Sequence, residues 1–479
     1  MIEKIWLYPP LAFARLGPSP EPCENYRYGD SDLSPRGTGK TVVLPEPSLH
    51  VAENGTLTET RPQGNRVRFK DPEDPEDPEN SAKLFRPVCP FFEVHGTWTI
   101  DGQPDSGAIT TEVLDAFNLT PGNVRWTVEV ANLKAHHCTG ALGDRIEAKA
   151  EILGNQHTRH PLRGRSPQGA AQRLVPQGQH VPLGSIQIPR PSAAFPQLRL
   201  RFTPAAGLVY GPTNLLQRTD RYPLPAERLI LSPNSPWCSF TGAGDPRTVP
   251  GGLFAGASEA VDGGVSFGLV DDVCDGLVTV EVGGLTAHAR VVVTPPDFAP
   301  DRRPFTSLAD GLTDRVRRAE AQDPAYVSGD PQMTALEVRD LFERVLEAMD
   351  AVNVDAQNDR AGLMNMGRNP SEAQAEQARA RMFPVPEALE GVTLPLTERG
   401  RRKHRRFVAL EVLEDMIREQ PDLIRRFIRN PDTQPGPFDR RMPVAVRGSD
   451  GFPMHLTRRQ YDLLVAWANS LQATVEEGT

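Results

Sequence analysis

Cysteine is scarce in this chain and scattered: five residues, at positions 23, 89, 138, 238 and 274, with no Cys-x-x-Cys pair. Such spacing offers neither a disulfide framework nor a cysteine-rich zinc site. Long apolar runs are missing too, and no stretch approaches the length needed to span a bilayer. The short apolar run at the N-terminus is interrupted by Pro9-Pro10 and followed by Arg15, so no secretory signal is expected within Met1 to Gly17. Excess positive charge is absent: 53 Lys and Arg stand against 62 Asp and Glu, a net charge of −9. That balance gives no long-range attraction for nucleic acid or an anionic membrane. The expectation is a cytoplasmic protein with neither nucleic acid nor membrane as a partner. Its oligomeric state is left open.

What the chain does have is proline and glycine, 47 and 40 among 479 residues. Those numbers suit a loop-rich β architecture, and the length implies two to four domains. Ile2 to Tyr8 reads as a first strand, ended by Pro9-Pro10, and Leu11 to Arg15 as a second short apolar run. Leu84 to Gly96 reads as a pair of strands. Asn123 to Asn132 alternates, with Val124, Trp126, Val128 and Val130 on one face, which is the pattern of a half-buried strand. Residues 163–180, rich in Gln, Gly and Arg, read as a loop. Val181 to Ile186, Leu198 to Phe202, Leu277 to Val282 and Ala287 to Val293 resume the strands. After Pro300 the period changes. Thr334 and Glu337 form a capping box ahead of a stripe from Leu336 to Val352, and Arg401 to Ile424 is a second helical region. The fold expected is therefore α+β and multidomain: a β-rich N-terminal part over 1–300 and a helical C-terminal part over 301–479.

Four attractive motifs do not survive a physical reading. Gly37-Thr38-Gly39-Lys40-Thr41 lacks the glycine that a phosphate loop needs at position 34, which is Ser34, and Val42-Val43-Leu44-Pro45 reads as a strand where a helix should open. No nucleotide is expected. His136-His137-Cys138 follows a strand, whose adjacent side chains point to opposite faces, and no fourth ligand is in view, so no metal is expected. Asp71 to Glu79, acidic and proline-spaced, reads as an exposed loop. The basic run Arg401 to Arg406 carries no interleaved aromatics and reads as a solvated face.

The last stretch of the chain is the most organised. Gly448 to Gly451 forms a tight turn, and Thr457 with Gln460 makes a capping box, so a helix should begin at Arg458. Tyr461, Leu464 and Ala468 then share a face, with Leu463 and Trp467 beside it. Trp467 reads first as a buried anchor of this helix. Together with Arg441-Met442-Pro443 upstream, the cassette resembles the C-terminal end of the lysine ε-oxidase family, amino-acid oxidases that build a cysteine tryptophylquinone from their own side chains. Four further segments resemble that family in the same order. These are Pro9-Pro10 with the run to Gly17, Trp126 to Ala135, the turn Asp271-Asp272-Val273-Cys274-Asp275-Gly276, and Pro295-Pro296-Asp297-Phe298-Ala299-Pro300.

The resemblance implies oxidative deamination of a primary amine or amino acid, with oxygen as electron acceptor and peroxide and ammonia as products. It implies a protein-derived tryptophylquinone with Trp467 at the quinone position, and a flavoprotein maturation partner. A quinone carbonyl condenses with a primary amine and acts as an electron sink. The family's thioether donor is a cysteine in the second half of the chain, and here no cysteine follows Cys274. A substitute donor would have to be one of the five cysteines present, and the choice among them falls on Cys274, flanked by Asp271, Asp272 and Asp275 as carboxylates able to act as base. Those same carboxylates disfavour a thiolate by like-charge repulsion. Two functions follow: an oxidase using Trp467 and Cys274, or a non-catalytic relative whose β scaffold serves as a binding or assembly module.

Overall fold

Alternation in the N-terminal region becomes two β-sheets packed around one core. The computed structural model describes residues 1–31, 41–64, 67–69, 71, 84–218, 223–241, 266–295, 303–349, 415–434, 441–443 and 454–476. The acidic run beyond Asp71, Gly37 to Lys40, the Pro296 to Pro300 segment, the Arg401 to Arg406 run and the Gly448 to Gly451 turn lie outside the described residues.

The first sheet has six strands. Its order is Ile2–Tyr8, Phe91–Ile100, Arg199–Thr203, Val181–Gln187, His160–Gly164, with Gln103–Ala108 also paired to Phe91–Ile100. The second has five: Ile146–Leu153, Arg125–Asn132, Asp275–Val282, Leu285–Thr294 and Leu11–Arg15. All its pairings are antiparallel except the last, in which Leu11–Arg15 runs parallel to Leu285–Thr294. Val124, Trp126, Val128 and Val130 do share the buried face, as the alternation required. They join Val278, Val280, Val291, Phe92, Val94, Leu183, Leu200 and Phe202 in a single apolar cluster contributed by both sheets. Each such side chain contributes about 1.5–3 kcal/mol relative to exposure. The hairpin at 282–285 turns on Gly283-Gly284, both with positive φ, the conformation a two-residue loop needs to match strand twist.

Two expectations for this region are corrected. Residues 84–96 are not a pair of strands: the ladder starts at Phe91, and the preceding segment is held by isolated bridges such as Arg15 to Val88. Pro87 and Pro90 carry no N–H, so a regular ladder cannot run through them. Residues 163–180 do more than loop out. Leu174 and Val175 are buried, tied by Leu174 N–H to the Gly143 carbonyl and by Val175 N–H to Ser166 Oγ.

Among the described residues, helices between 120 and 300 are short, the longest being the six-residue Lys134–Thr139. Among the described residues after Pro300 the longer elements are helices: Leu308–Arg317, Pro324–Ser328, Pro331–Met349, Leu423–Phe427 and Arg458–Glu476. The Pro331–Met349 helix starts earlier than Thr334. Asp330 Oδ1 accepts the Met333 N–H at 2.9 Å and Pro331 fills the first position, where its missing N–H costs nothing. Thr334 Oγ1 instead donates back to the Asp330 carbonyl. Val338, Leu341, Phe342 and Val345 pack with Ile417, Ile424, Tyr461, Leu464 and Trp467 into a second apolar core.

The chain divides into two compact units. One comprises Met1–Arg27, Val43–Glu73 and Ala82–Phe298, and the other Tyr28–Val42, Asp74–Ser81 and Ala299–Thr479. Cys274 belongs to the core of the first unit and Trp467 to the core of the second.

Candidate functional site

The Asp271–Gly276 segment links the short strand Val270–Asp271 to the long strand Asp275–Val282, and its Asp271, Asp272 and Cys274 side chains are each held by a different part of the first unit. Asp271 is gripped from the end of the Arg125–Asn132 strand. Asn132 Nδ2 donates to the Asp271 carbonyl at 2.9 Å and to its Oδ1 at 3.1 Å, while Lys134 Nζ pairs with Oδ2. Asn132 Oδ1 accepts the Lys134 N–H at 3.1 Å, which turns the chain from strand to helix. The end of the Arg125–Asn132 strand and the Asp271 turn, 139 positions apart in sequence, therefore meet at one place.

Asp272 points the other way and is fully buried. Its Oδ2 accepts the backbone N–H groups of Gly207 at 3.1 Å and Leu208 at 2.9 Å. Its Oδ1 has no hydrogen-bond partner among the described residues. Burial, reinforced by the charge of Asp271, pushes its carboxyl up to about 7 against the pull of those N–H donors. Tyr210 nearby is pushed up to about 12, by burial first and the Asp272 charge second.

Cys274 is also buried, at 2% exposure. Its thiol donates to the Leu183 carbonyl at 3.5 Å, and its own carbonyl accepts the Val293 N–H at 2.9 Å. Burial raises the thiol pKa well above the ordinary range, with the charges of Asp275, Asp272 and Asp271 adding to it. The thiolate is thus suppressed by desolvation more than by the like charges that the sequence suggests. Asp275 is raised by burial as well, partly offset by the Val293 N–H and then by the charge of Lys134. Gly276 is required by packing: a Cβ there would lie 2.1 Å from the Glu129 carbonyl oxygen on the paired strand.

Trp467 sits in the terminal helix, whose start is as the capping box predicts. Gln460 N–H donates to Thr457 Oγ1 at 3.2 Å and Thr457 N–H to Gln460 Oε1 at 2.9 Å. The indole is 6% exposed, and Tyr461, Leu463, Leu464 and Ala468 are buried with it. Asp462, five positions before Trp467 in this helix, is occupied: its carboxylate accepts Arg458 Nε and Gln322 Nε2, both at 2.8 Å. The Arg441-Met442-Pro443 stretch is fixed by Arg429, a fully buried side chain. Its guanidinium donates to the carbonyls of Pro443 at 3.0 Å, Arg441 at 2.6 Å and Met454.

The structure therefore gathers Asp271, Asp272, Cys274 and Asp275 on one segment of the first unit, and sets Trp467 in the helical core of the second. It adds Asn132, Lys134, Tyr210 and Arg429, which sequence reading passed over. Arg429 carries no local signal, since only the distant carbonyls it meets distinguish it from any other arginine. His136-His137-Cys138 lies in the Lys134–Thr139 helix and not on a strand, with His136 Nδ1 at 2.9 Å from the Ala141 carbonyl oxygen. No group of three His, Cys, Asp or Glu side chains suited to a metal occurs among the described residues. No helix among them is long and apolar enough to cross a membrane. No protein-family model matches the chain, and no curated protein matches its sequence.

Proposed function

We propose that this chain is a divergent relative of the lysine ε-oxidases that keeps the β scaffold as a binding or assembly module and forms no tryptophylquinone. The observation that carries this reading is the commitment of the two side chains a quinone would need. Cys274 is locked inside the first unit's core with its thiol donated to a backbone carbonyl, and Trp467 is a core residue of the second. The second unit contains no cysteine at all. The residues around Trp467 thus do not fit the family's cofactor, which needs a thiol against the indole. Convergence of the Asn132 and Asp271 segments supports descent of the scaffold itself.

One observation favours the oxidase reading. Asp272, with a carboxyl near 7, is poised as a general base at neutral pH, two residues from Cys274. On that reading an amine substrate would be oxidised with oxygen as acceptor, after a flavoprotein partner had matured the site. Intact mass spectrometry of the purified protein, with quinone redox staining, separates the two. The scaffold reading expects the encoded mass, allowing for loss of the initiator Met, and no stain. A stained band with a mass altered at Trp467 would overturn it.

A further inference from the structure

The charge of this protein is distributed unevenly. Residues 152–219 contain no Asp or Glu and no Lys, but eight arginines, in a chain whose net charge is −9. Four of the eight have structural duties. Arg190 Nε donates to the Asn54 carbonyl, Arg199 pairs with Glu93, Arg201 lies over the Phe91 ring, and Arg218 donates to the carbonyls of Cys238 and Ser266. Of the other four, Arg159, Arg163 and Arg165 lie on or beside the His160–Gly164 strand. The strand alternates: Leu162, Gly164 and Ser166 are buried, while Arg159, Pro161, Arg163 and Arg165 are exposed. Period two therefore places the three guanidinium groups on one solvent face. None of them has a hydrogen bond or ion pair among the described residues.

His180 joins this face. The register pairs Arg163 with Pro182 and Gly164 with Val181, so its continuation sets His180 opposite Arg165. The imidazole pKa is lowered by burial first and then by the charges of Arg163 and Arg165, which places both guanidinium groups close to it. The carboxylate that backbone pairing brings across from Arg165, that of Glu147, is held by Arg145 at 2.5 Å. No carboxylate is in ion-pair contact with the three arginines among the described residues.

We propose that the outer face of the His160–Gly164 strand, with Arg159, Arg163, Arg165 and His180, is a docking site for an extended, carboxylate-rich peptide segment of a partner protein. Arg163 and Arg165 are two residues apart on a strand, about 7 Å, and Arg159 lies ~13 Å from Arg163. An extended peptide with acidic side chains at alternate positions repeats at the same ~7 Å spacing. Each guanidinium offers a carboxylate two parallel donors. Nucleic acid fits this face less well: no Phe, Tyr or Trp occurs between Trp126 and Phe195, so the strand and its flanks bring no such ring of their own on which bases could stack. The site stands apart from the fate of Cys274 and Trp467, and a quinone found by mass spectrometry would leave it untouched.

The test is fluorescence anisotropy of the full-length protein with a labelled peptide of alternating Glu and Thr. A twin with Gln for Glu and a single-stranded oligothymidylate serve as comparisons. Saturable binding of the Glu peptide, weakening with salt and absent for the Gln twin, is expected. Arg163→Gln with Arg165→Gln should weaken it at least tenfold, and Arg163→Lys with Arg165→Lys by less, since charge is kept and the planar fork lost. Arg290→Gln, an exposed arginine elsewhere in the same unit, should change it less than twofold. Should the double Gln variant fail to fold, the double Lys variant carries the comparison. Absence of saturable binding, equal loss on Arg290→Gln, or tighter binding of the oligothymidylate than of the Glu peptide would each overturn the proposal.

Discussion

Replacing Asp272 with Asn should remove a pH dependence from the stability of the first unit. An ordinary aspartate titrates at 3.8, and in the folded protein burial raises Asp272 to about 7. A folded pKa above the unfolded one means that the native state holds its proton more tightly. The stabilisation is complete below about pH 4 and is lost as pH rises through 7. Between pH 5 and 8 the unfolded side chain stays ionised while the folded one loses its proton. With about 1.4 kcal/mol for each pH unit of difference, the wild type should lose roughly 3 kcal/mol over that interval from this residue. Asn keeps an oxygen for the Gly207 and Leu208 N–H groups but adds a buried donor without an acceptor, a pH-independent cost of about 1–3 kcal/mol. The two proteins should therefore differ by an offset plus a slope, and the slope carries the test. Urea denaturation of both at pH 5, 6, 7 and 8 gives it directly. Other titrating groups, including Asp144 and Asp275, cancel in the difference. A difference constant to within about 0.5 kcal/mol across the series, or one that moves in the opposite sense, would refute the reasoning.

Two further outcomes follow from packing. Trp467→Ala should cost about 3–5 kcal/mol in urea denaturation, because the indole is buried among the helical core and leaves a cavity; an unchanged melting temperature would show that it is no core residue. Gly276→Ala should destabilise by about 1–3 kcal/mol, since the new methyl meets the Glu129 carbonyl and the paired strand must shift. A loss below about 0.5 kcal/mol would mean that this strand pair yields more easily than its register implies.

Local pattern was readable in the chain wherever one residue's neighbours in sequence are also its neighbours in space. Alternation at Val124 to Val130 and the Thr457–Gln460 box depend only on residues close in sequence, and both appear in place. Where a local signal had a competitor, reading went astray. Thr334 and Glu337 suited a helix start, but Asp330-Pro331 offered a better one four residues earlier. His136-His137-Cys138, read with strand geometry because it follows an alternating strand, lies instead in a helix, after a turn in which Asn132 Oδ1 accepts the Lys134 N–H. Asp101-Gly102, a two-residue hairpin signal, is present in the sequence and turns the chain at Ile100 to Gln103 with φ positive at both positions.

The sequence by itself determined fold class, the change from β to helix after Pro300, and the buried faces, because hydrophobic period is a local property. Only tertiary structure decided what the Asp271–Asp275 carboxylates do. They look alike in sequence, yet Asp271 meets Lys134 and Asn132, over 130 positions away, while Asp272 enters the core against Gly207 and Leu208. Desolvation and partner charge, which separate one from the other, depend on which distant segment arrives beside each side chain. Neither composition nor spacing contains that information.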